Sequence, residues 1–383
     1  MMTFDRIYQY NFPTTIRFGA GASQELGGYL KQNNLRRPLV VTDPVIAQLG
    51  FFKNLVAALG KEGISVEVFS DIHKNPVKSD VYKGTDVFDY SQRDSIVGIG
   101  GGAALDVARA IVLRVNHRED LFKYDDLIGG DVYVTNDVPH FITVPTTAGT
   151  GSEVGRSAII SDDETHQKKI LFSPRLLAKI VFADPLLTME LPPFVTAATG
   201  MDALTHNLEA FLAKMPHPIC EGIALEGVSL INQSLEEAVK RPGLASRSGM
   251  LLGSMMGAIA FQKGLGVVHS LAHPLSSLLD THHGLANAVN LPYGMAFNIA
   301  GCEDKFRRIA RTLELKQEDG AGVVDYLHQL NSRIGIPARL REIGVKEEHI
   351  ETLSDLALAD FAHPNNPKPV SREDFRTLYR QAL

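Results

Sequence analysis

Short apolar, β-branched runs alternate with longer amphipathic stretches through the first half of the chain. The runs are residues 38–43 (PLVVTD), 64–69 (ISVEVF), 95–100 (SIVGIG), 140–145 (HFITVP) and 179–184 (KIVFAD), each bounded by Gly, Pro or Asp. Between them, residues 24–31, 45–59 and 81–90 repeat their apolar positions at helical spacing. Strands separated by helices predict βαβ crossovers and a parallel sheet covered on both faces. Beyond Asp184-Pro185 the alternation stops. From Pro192 onward the pattern is helical, over 194–212, 219–239, 246–261, 267–279, 306–313, 322–334 and 372–383. The expected organisation is an α/β domain over 1–187 and an all-helical domain over 188–383, with a ligand in the cleft between them.

Composition narrows the partners. The 383 residues suit two domains, and 44% hydrophobic with 21% charged residues is ordinary globular usage. Thirty-eight basic against 44 acidic side chains leave a net charge of -6 with no basic block, which argues against nucleic acid. The N-terminus lacks the charged and apolar regions of a signal peptide, and no apolar run reaches the ~18 residues of a membrane span. A cytoplasmic location with no membrane contact is expected. Cys220 and Cys302 are too few for a disulfide framework or thiolate cluster, so any metal must use His and carboxylate. Of 13 His, His269, His273, His282 and His283 fall within one short window, and the chemistry is expected there.

Two loops suit a nucleotide. GIGGGAALDVARA (98–110) follows a strand and opens a helix, so Gly100, Gly101 and Gly102 would let the backbone and the helix N-terminus approach a pyrophosphate. Asp43, at the end of another strand, could accept a ribose 2′-hydroxyl and repel a 2′-phosphate, favouring NAD; it could equally cap the turn before Pro44. PTTAGTGSE (145–153) offers the hydroxyls of Thr146, Thr147 and Thr150, or is a solvated turn.

In the second half, Asp202 and His206 lie four residues apart on one helical face, as do His269 and His273, and His282-His283 follow on a Gly-terminated turn. An Asp-x-x-x-His helix beside four further His, with no thiolates, points to an open divalent-metal site, Fe(II) or Zn(II).

Together GIGGGAALDVAR, PTTAGTGSE, ATGMDALTHNLEAF and HSLAHPLSSLLDTHHG resemble the iron-containing (group III) alcohol dehydrogenase family, as do the opening FPTTIRFGAG and closing NNPKPVSREDF. The resemblance spans essentially the whole chain. It implies an α/β NAD-binding domain and an all-α metal-binding domain of dehydroquinate synthase-like architecture. It assigns the metal to Asp202, His206, His269 and His283, and places His273 as a non-ligating residue near substrate and nicotinamide. For the cofactor it implies Asp43, Asn75, the three glycines, Thr146, Thr147, Thr150 and Lys169, with Asp106 near the nicotinamide end. One departure is Ala103, where the family usually carries Ser after the glycines.

The implied activity is hydride transfer between a small alcohol, or its aldehyde or ketone, and NAD(H), with iron or zinc as Lewis acid. His273 would relay the proton or position substrate. Phe261, Leu265, Val268 and Phe297 would give an apolar pocket. The rivals are a dehydroquinate synthase-like lyase, which would need basic side chains scarce around these motifs, and a non-catalytic metal- or nucleotide-binding protein. A homodimer or larger homo-oligomer is expected from the resemblance.

Overall fold

The computed structural model describes residues 8–10, 14–165 and 167–383. The reading of the first residues as no signal peptide, and Phe12 and Pro13 of the opening motif, lie outside the described residues. The chain divides into two compact units, Met1–Thr147 with Ser152–Met189, and Ala148–Gly151 with Glu190–Leu383. Residues 148–151, expected in the first domain, thus group with the helical part.

The strands of the first unit are β1 Tyr8–Tyr10, β2 Thr15–Phe18, β3 Pro38–Val41, β4 Glu67–Phe69, β5 Ser95–Gly100, β6 His140–Pro145, β7 Ser157–Ser161, β8 Lys168–Phe172 and β9 Ile180–Ala183. Seven form one sheet in the order β1-β2-β9-β6-β5-β3-β4, antiparallel only at β1, while β7 and β8 pair as a separate antiparallel hairpin. The helices of this unit are α1 Leu26–Gln32, α2 Gly50–Lys61, α3 Lys78–Tyr90 and α4 Gly102–Asn116.

Side chains alternate across the sheet, as strand geometry requires. Leu39, Val41, Ile96 and Phe141 enter one core with α3 and α4; Val40, Val97, Ile99 and Ile142 enter the other with α1 and α2. Burial on both faces is why these strands read as continuous apolar runs. Strands β2, β7 and β8 escaped the sequence pattern. In β2 only Ile16 and Phe18 are buried, and its partner β9 lies far along the chain. Its existence depends on a tertiary contact that no local window contains.

The second unit comprises α5 Pro193–Leu212, α6 Pro218–Lys240, α7 Leu244–Ala260, α8 Val267–Leu279, α9 His283–Asn298, α10 Glu303–Thr312, α11 Gly320–Arg333, α12 Ile350–Leu358 and α13 Arg372–Ala382. Helix α5 packs against α6, α7 and α9 and is buried almost throughout from Thr196 to Leu212. Polar side chains on such a helix need internal partners. Residues 244–263 are long and apolar enough to cross a membrane by composition, but 78% of that window is buried, as in a core helix.

One sequence expectation changes here. His282-His283 do not sit on a Gly-terminated turn: the His282 ring accepts from the Leu285 amide and caps α9, of which His283 is the first residue. Gly284 and Pro292 disguise this helix in the sequence, because each normally interrupts one.

Candidate metal centre and cofactor loops

Three helices of the second unit meet at Asp202. Asp202 and His206 come from successive turns of α5, His269 from the first turn of α8, and His283 from the start of α9. One ligand atom from each lies within 4.8 Å of every other. Asp202 Oδ1 is 3.5 Å from His283 Nε2 and 3.9 Å from both His206 Nε2 and His269 Nε2. Asp202, His206 and His269 are buried; His283 is half-buried. A Cβ on Gly284 would fall 2.4 Å from the Ala198 carbonyl oxygen, so glycine there lets the start of α9 bring His283 against α5.

Electrostatics favour a cation. Burial raises the Asp202 carboxyl, but the His206, His283 and His269 rings and the Asn287 amide outweigh it and hold the group at about 2. Burial pushes His206 down to about 4, so at neutral pH it offers a lone pair. Metal binding needs this combination, anionic carboxylate and neutral imidazole.

The surroundings orient these donors. Glu209, buried one turn beyond His206, accepts from His269 Nδ1 at 2.6 Å and from the backbone amides of Gly266 (3.0 Å), Val268 (2.7 Å) and His269 (3.3 Å). One carboxylate thereby fixes the ring with Nε2 facing Asp202 and satisfies amides at the start of α8 that lack intrahelical partners. Burial lowers His269, and the hydrogen bond and charge of Glu209 reverse this, leaving it raised. Asn287 donates to Asp202 Oδ1 at 2.7 Å and lies 3.2 Å from His269 Nε2 and 3.1 Å from His283 Nε2.

In the first unit, the carboxyl ends of adjacent parallel strands β3, β5 and β6 bring the nucleotide motifs together. The Thr146 amide donates to the Gly100 carbonyl at 3.0 Å, and a Cβ on Gly101 would lie 3.1 Å from Thr147 Oγ1. Asp43 caps the turn that follows β3 and borders the glycine loop. Its Oδ1 accepts from the Val45 and Ile46 amides, both at 2.9 Å, while Oδ2 is 3.5 Å from where a Gly100 Cβ would stand. One oxygen caps the turn; the other faces the glycine loop.

Two family models match this chain: "Iron-containing alcohol dehydrogenase" over residues 13–185 and "Fe-containing alcohol dehydrogenase family, C-terminal" over residues 196–383. The chain belongs to the iron-containing alcohol dehydrogenase family. It is 37% identical to a 4-hydroxybutyrate dehydrogenase of Cupriavidus necator, with 97% of this chain and 98% of the relative covered. A 1,3-propanediol dehydrogenase of Citrobacter freundii is 34% identical over 99% of both chains. Among solved structures, a 1,3-propanediol oxidoreductase superposes with a TM-score of 0.93 at 33% identity over the full length of both chains. An alcohol dehydrogenase from Oenococcus oeni gives 0.90 at 31% identity, covering 96% of this chain and 98% of that one. The protein is an alcohol-type dehydrogenase, and both family models favour that reading over the lyase.

The other expected residues of this dehydrogenase have the following surroundings. Asp106, on α4, accepts from Ser152 Oγ (2.7 Å), Arg109 Nη1 (3.1 Å) and the Ile159 amide (3.1 Å). All three partners are internal, so its carboxylate braces α4 against residues 152–159. Burial pushes Asp106 up, and Arg109, Ser152 and Ile159 pull against it. Lys169, on β8, lies 3.3 Å from Asp125 Oδ2, an ion pair beside the hairpin. Asn75 lies in the loop after β4, whose fold is held by Asp80 accepting from the His73 and Val77 amides. Thr150 groups with the helical unit.

Sequence reasoning missed Glu209, Asn287 and Asp360. Glu209 continues the face of Asp202 and His206, and Asn287 follows His283 by one turn; both spacings were readable once helices were assumed. Asp360, bonded to His273 Nδ1 at 2.7 Å from 87 residues away, carries no local signal.

Proposed function

We propose that this dehydrogenase interconverts a short primary alcohol and its aldehyde with NAD(H), using a divalent cation, Fe(II), held by Asp202, His206, His269 and His283. The observation that carries this reading is the convergence of three imidazole Nε2 atoms on one buried carboxylate. That donor set suits Fe(II) or Zn(II), and membership of the iron-containing family favours iron. The relatives named for 4-hydroxybutyrate and 1,3-propanediol support a short, terminally functionalised alcohol as substrate.

A divalent cation in this site supplies Lewis-acid chemistry, making an alcohol hydroxyl more acidic and, in the reverse direction, polarising a carbonyl. Bound NAD(H) would supply the hydride acceptor or donor. The chain's own residues hold and orient. Asp202 brings the negative charge, Glu209 fixes the tautomer of His269, and His206 stays neutral near pH 7. His273 holds the transferred proton: its Nδ1 is committed to Asp360, so Nε2 is the atom that takes the proton or returns it. Asp43 Oδ2 accepts a ribose hydroxyl, and the glycine loop with the α4 N-terminus receives the pyrophosphate. Thr146, Thr147, Thr150, Asn75 and Lys169 complete the cofactor set on the family resemblance, and Asp106 braces it.

The test is NADH formation across alcohols of graded length, with NADP in parallel and Asp43→Gly as the variant. The wild type is expected to prefer NAD. Removing a carboxylate that repels the 2′-phosphate should raise the NADP-to-NAD ratio of kcat/KM by roughly tenfold or more. An unchanged ratio would make Asp43 a turn cap only, and no alcohol-dependent NADH with any substrate would contradict the activity.

A further inference from the structure

We propose that Asp360, itself held by Ser270, is the positioning residue of His273, locking its imidazole in the one tautomer and rotamer that leaves Nε2 available to substrate. The inference rests on the relay role of His273 proposed above.

Asp360 lies just beyond the end of α12, and its two carboxylate oxygens divide between His273 and the Ser270 hydroxyl with the Ala362 amide. Oδ2 accepts from His273 Nδ1 at 2.7 Å; Oδ1 accepts from Ser270 Oγ at 2.6 Å and from the Ala362 amide at 2.9 Å. Ser270 Oγ in turn accepts from the His363 amide at 2.8 Å. Ser270 and His273 are three residues apart on α8, so one carboxylate bridges neighbouring positions on a single helical face. The side chains are 8% exposed for Asp360 and 16% for His273. An ionised carboxylate can only accept, which places the proton on Nδ1 and leaves Nε2 as the basic nitrogen. Burial raises the Asp360 carboxyl, but the His273 ring, Ser270 hydroxyl and Ala362 amide outweigh it and hold the group at about 2. The ring's orientation is fixed as well. It stacks on His283 at 5.3 Å with 16° between planes, and lies 5.2 Å from Phe361, carried by the same segment as Asp360. Rotating the imidazole would break these contacts and the hydrogen bond together.

A purely structural tie between α8 and residues 360–363 would make a different prediction for Asp360→Asn. Asn keeps an oxygen for Ser270 and Ala362, but its amide can donate to Nδ1 and drive the proton to Nε2. The experiment compares Asp360→Asn, Ser270→Ala, His273→Ala and the Asp360→Asn/His273→Ala double variant, with metal content measured on each. Asp360→Asn is expected to retain metal and KM for NAD while kcat falls roughly 10- to 100-fold. The double variant should be no slower than His273→Ala. Long-range 15N correlation spectra of histidine-labelled, metal-free protein should show His273 with Nδ1–H in the wild type and Nε2–H in Asp360→Asn. Wild-type kcat in Asp360→Asn, or losses that multiply in the double variant, would overturn the assignment. If Asp360→Asn does not fold, the wild-type spectrum and Ser270→Ala decide: an Nε2–H tautomer in the wild type, or unaltered kcat in Ser270→Ala, overturns it. Full activity in His273→Ala would instead remove the relay reading, and the tautomer spectra would still decide whether Asp360 sets the ring.

Discussion

Asp202→Asn is expected to abolish alcohol oxidation while leaving the protein folded. The side chain keeps its shape and can still meet the Asn287 amide, but the only negative charge among the four candidate donors is lost. Three neutral imidazoles and an amide bind a divalent ion far more weakly, because the carboxylate supplies the charge that offsets dehydration of the cation. Turnover at micromolar metal should fall on the order of 1,000-fold, with bound metal falling in parallel. The check is elemental analysis and initial rates on one preparation, with thermal unfolding of the metal-free protein within a few degrees of the wild type. Metal retained at full occupancy would show that Asp202 is not a ligand.

Glu209→Ala should be the most damaging change that touches no ligand atom of the candidate site. It leaves three backbone amides and the His269 Nδ1–H without their carboxylate in a buried setting. At roughly 1–3 kcal/mol for each unsatisfied buried group, with partial relaxation, a loss of about 4 kcal/mol is expected. That corresponds to a Tm lower by about 10 °C for a domain of this size. Glu209→Gln separates the two duties of the residue. With its oxygen in the Oε2 position it still accepts from the Gly266 and His269 amides and from His269 Nδ1, and only the Val268 amide loses its acceptor. Tm should therefore fall much less than in Glu209→Ala, while loss of the negative charge behind His269 lowers metal affinity roughly 10-fold. Equal losses of stability in the two variants would mean that Glu209 serves the fold alone.

The residues that were legible in the sequence are those whose geometry is local. Asp202 with His206, and His269 with His273, stand one helical turn apart, so a 3.6-residue period places each pair on one face before any tertiary contact is known. The buried strands β3, β5 and β6 were legible for the same reason: both faces are covered, and the run is uninterrupted. What escaped depends on distant partners or on a misread element. Strand β2 exists because β9 pairs with it, and the hairpin β7–β8 consists of two short strands in the stretch after the threonine motif. Asn287 was hidden because Gly284 and Pro292 argue locally against α9, whose packing on α5 and α8 overrides them. Asp43 was ambiguous in the sequence because a strand-end Asp before Pro suits a turn cap and a ribose alike; in the structure Oδ1 makes the cap and Oδ2 faces the glycine loop. The partners of Asp106 were likewise out of sight: Arg109 lies one turn away on α4, but Ser152 and Ile159 come from a later stretch of the chain.

The central claim, that alcohol oxidation depends on a cation held by Asp202, His206, His269 and His283, is tested most directly by anaerobic Fe(II) titration of metal-stripped protein. Bound iron per chain and alcohol-dependent NADH formation are followed together. Activity should rise linearly to a break at one ion per chain, and Asp202→Asn should show neither the break nor the activity. Substantial NADH formation by the stripped protein in the presence of chelator, or a fully loaded wild type inactive on every alcohol, would contradict it.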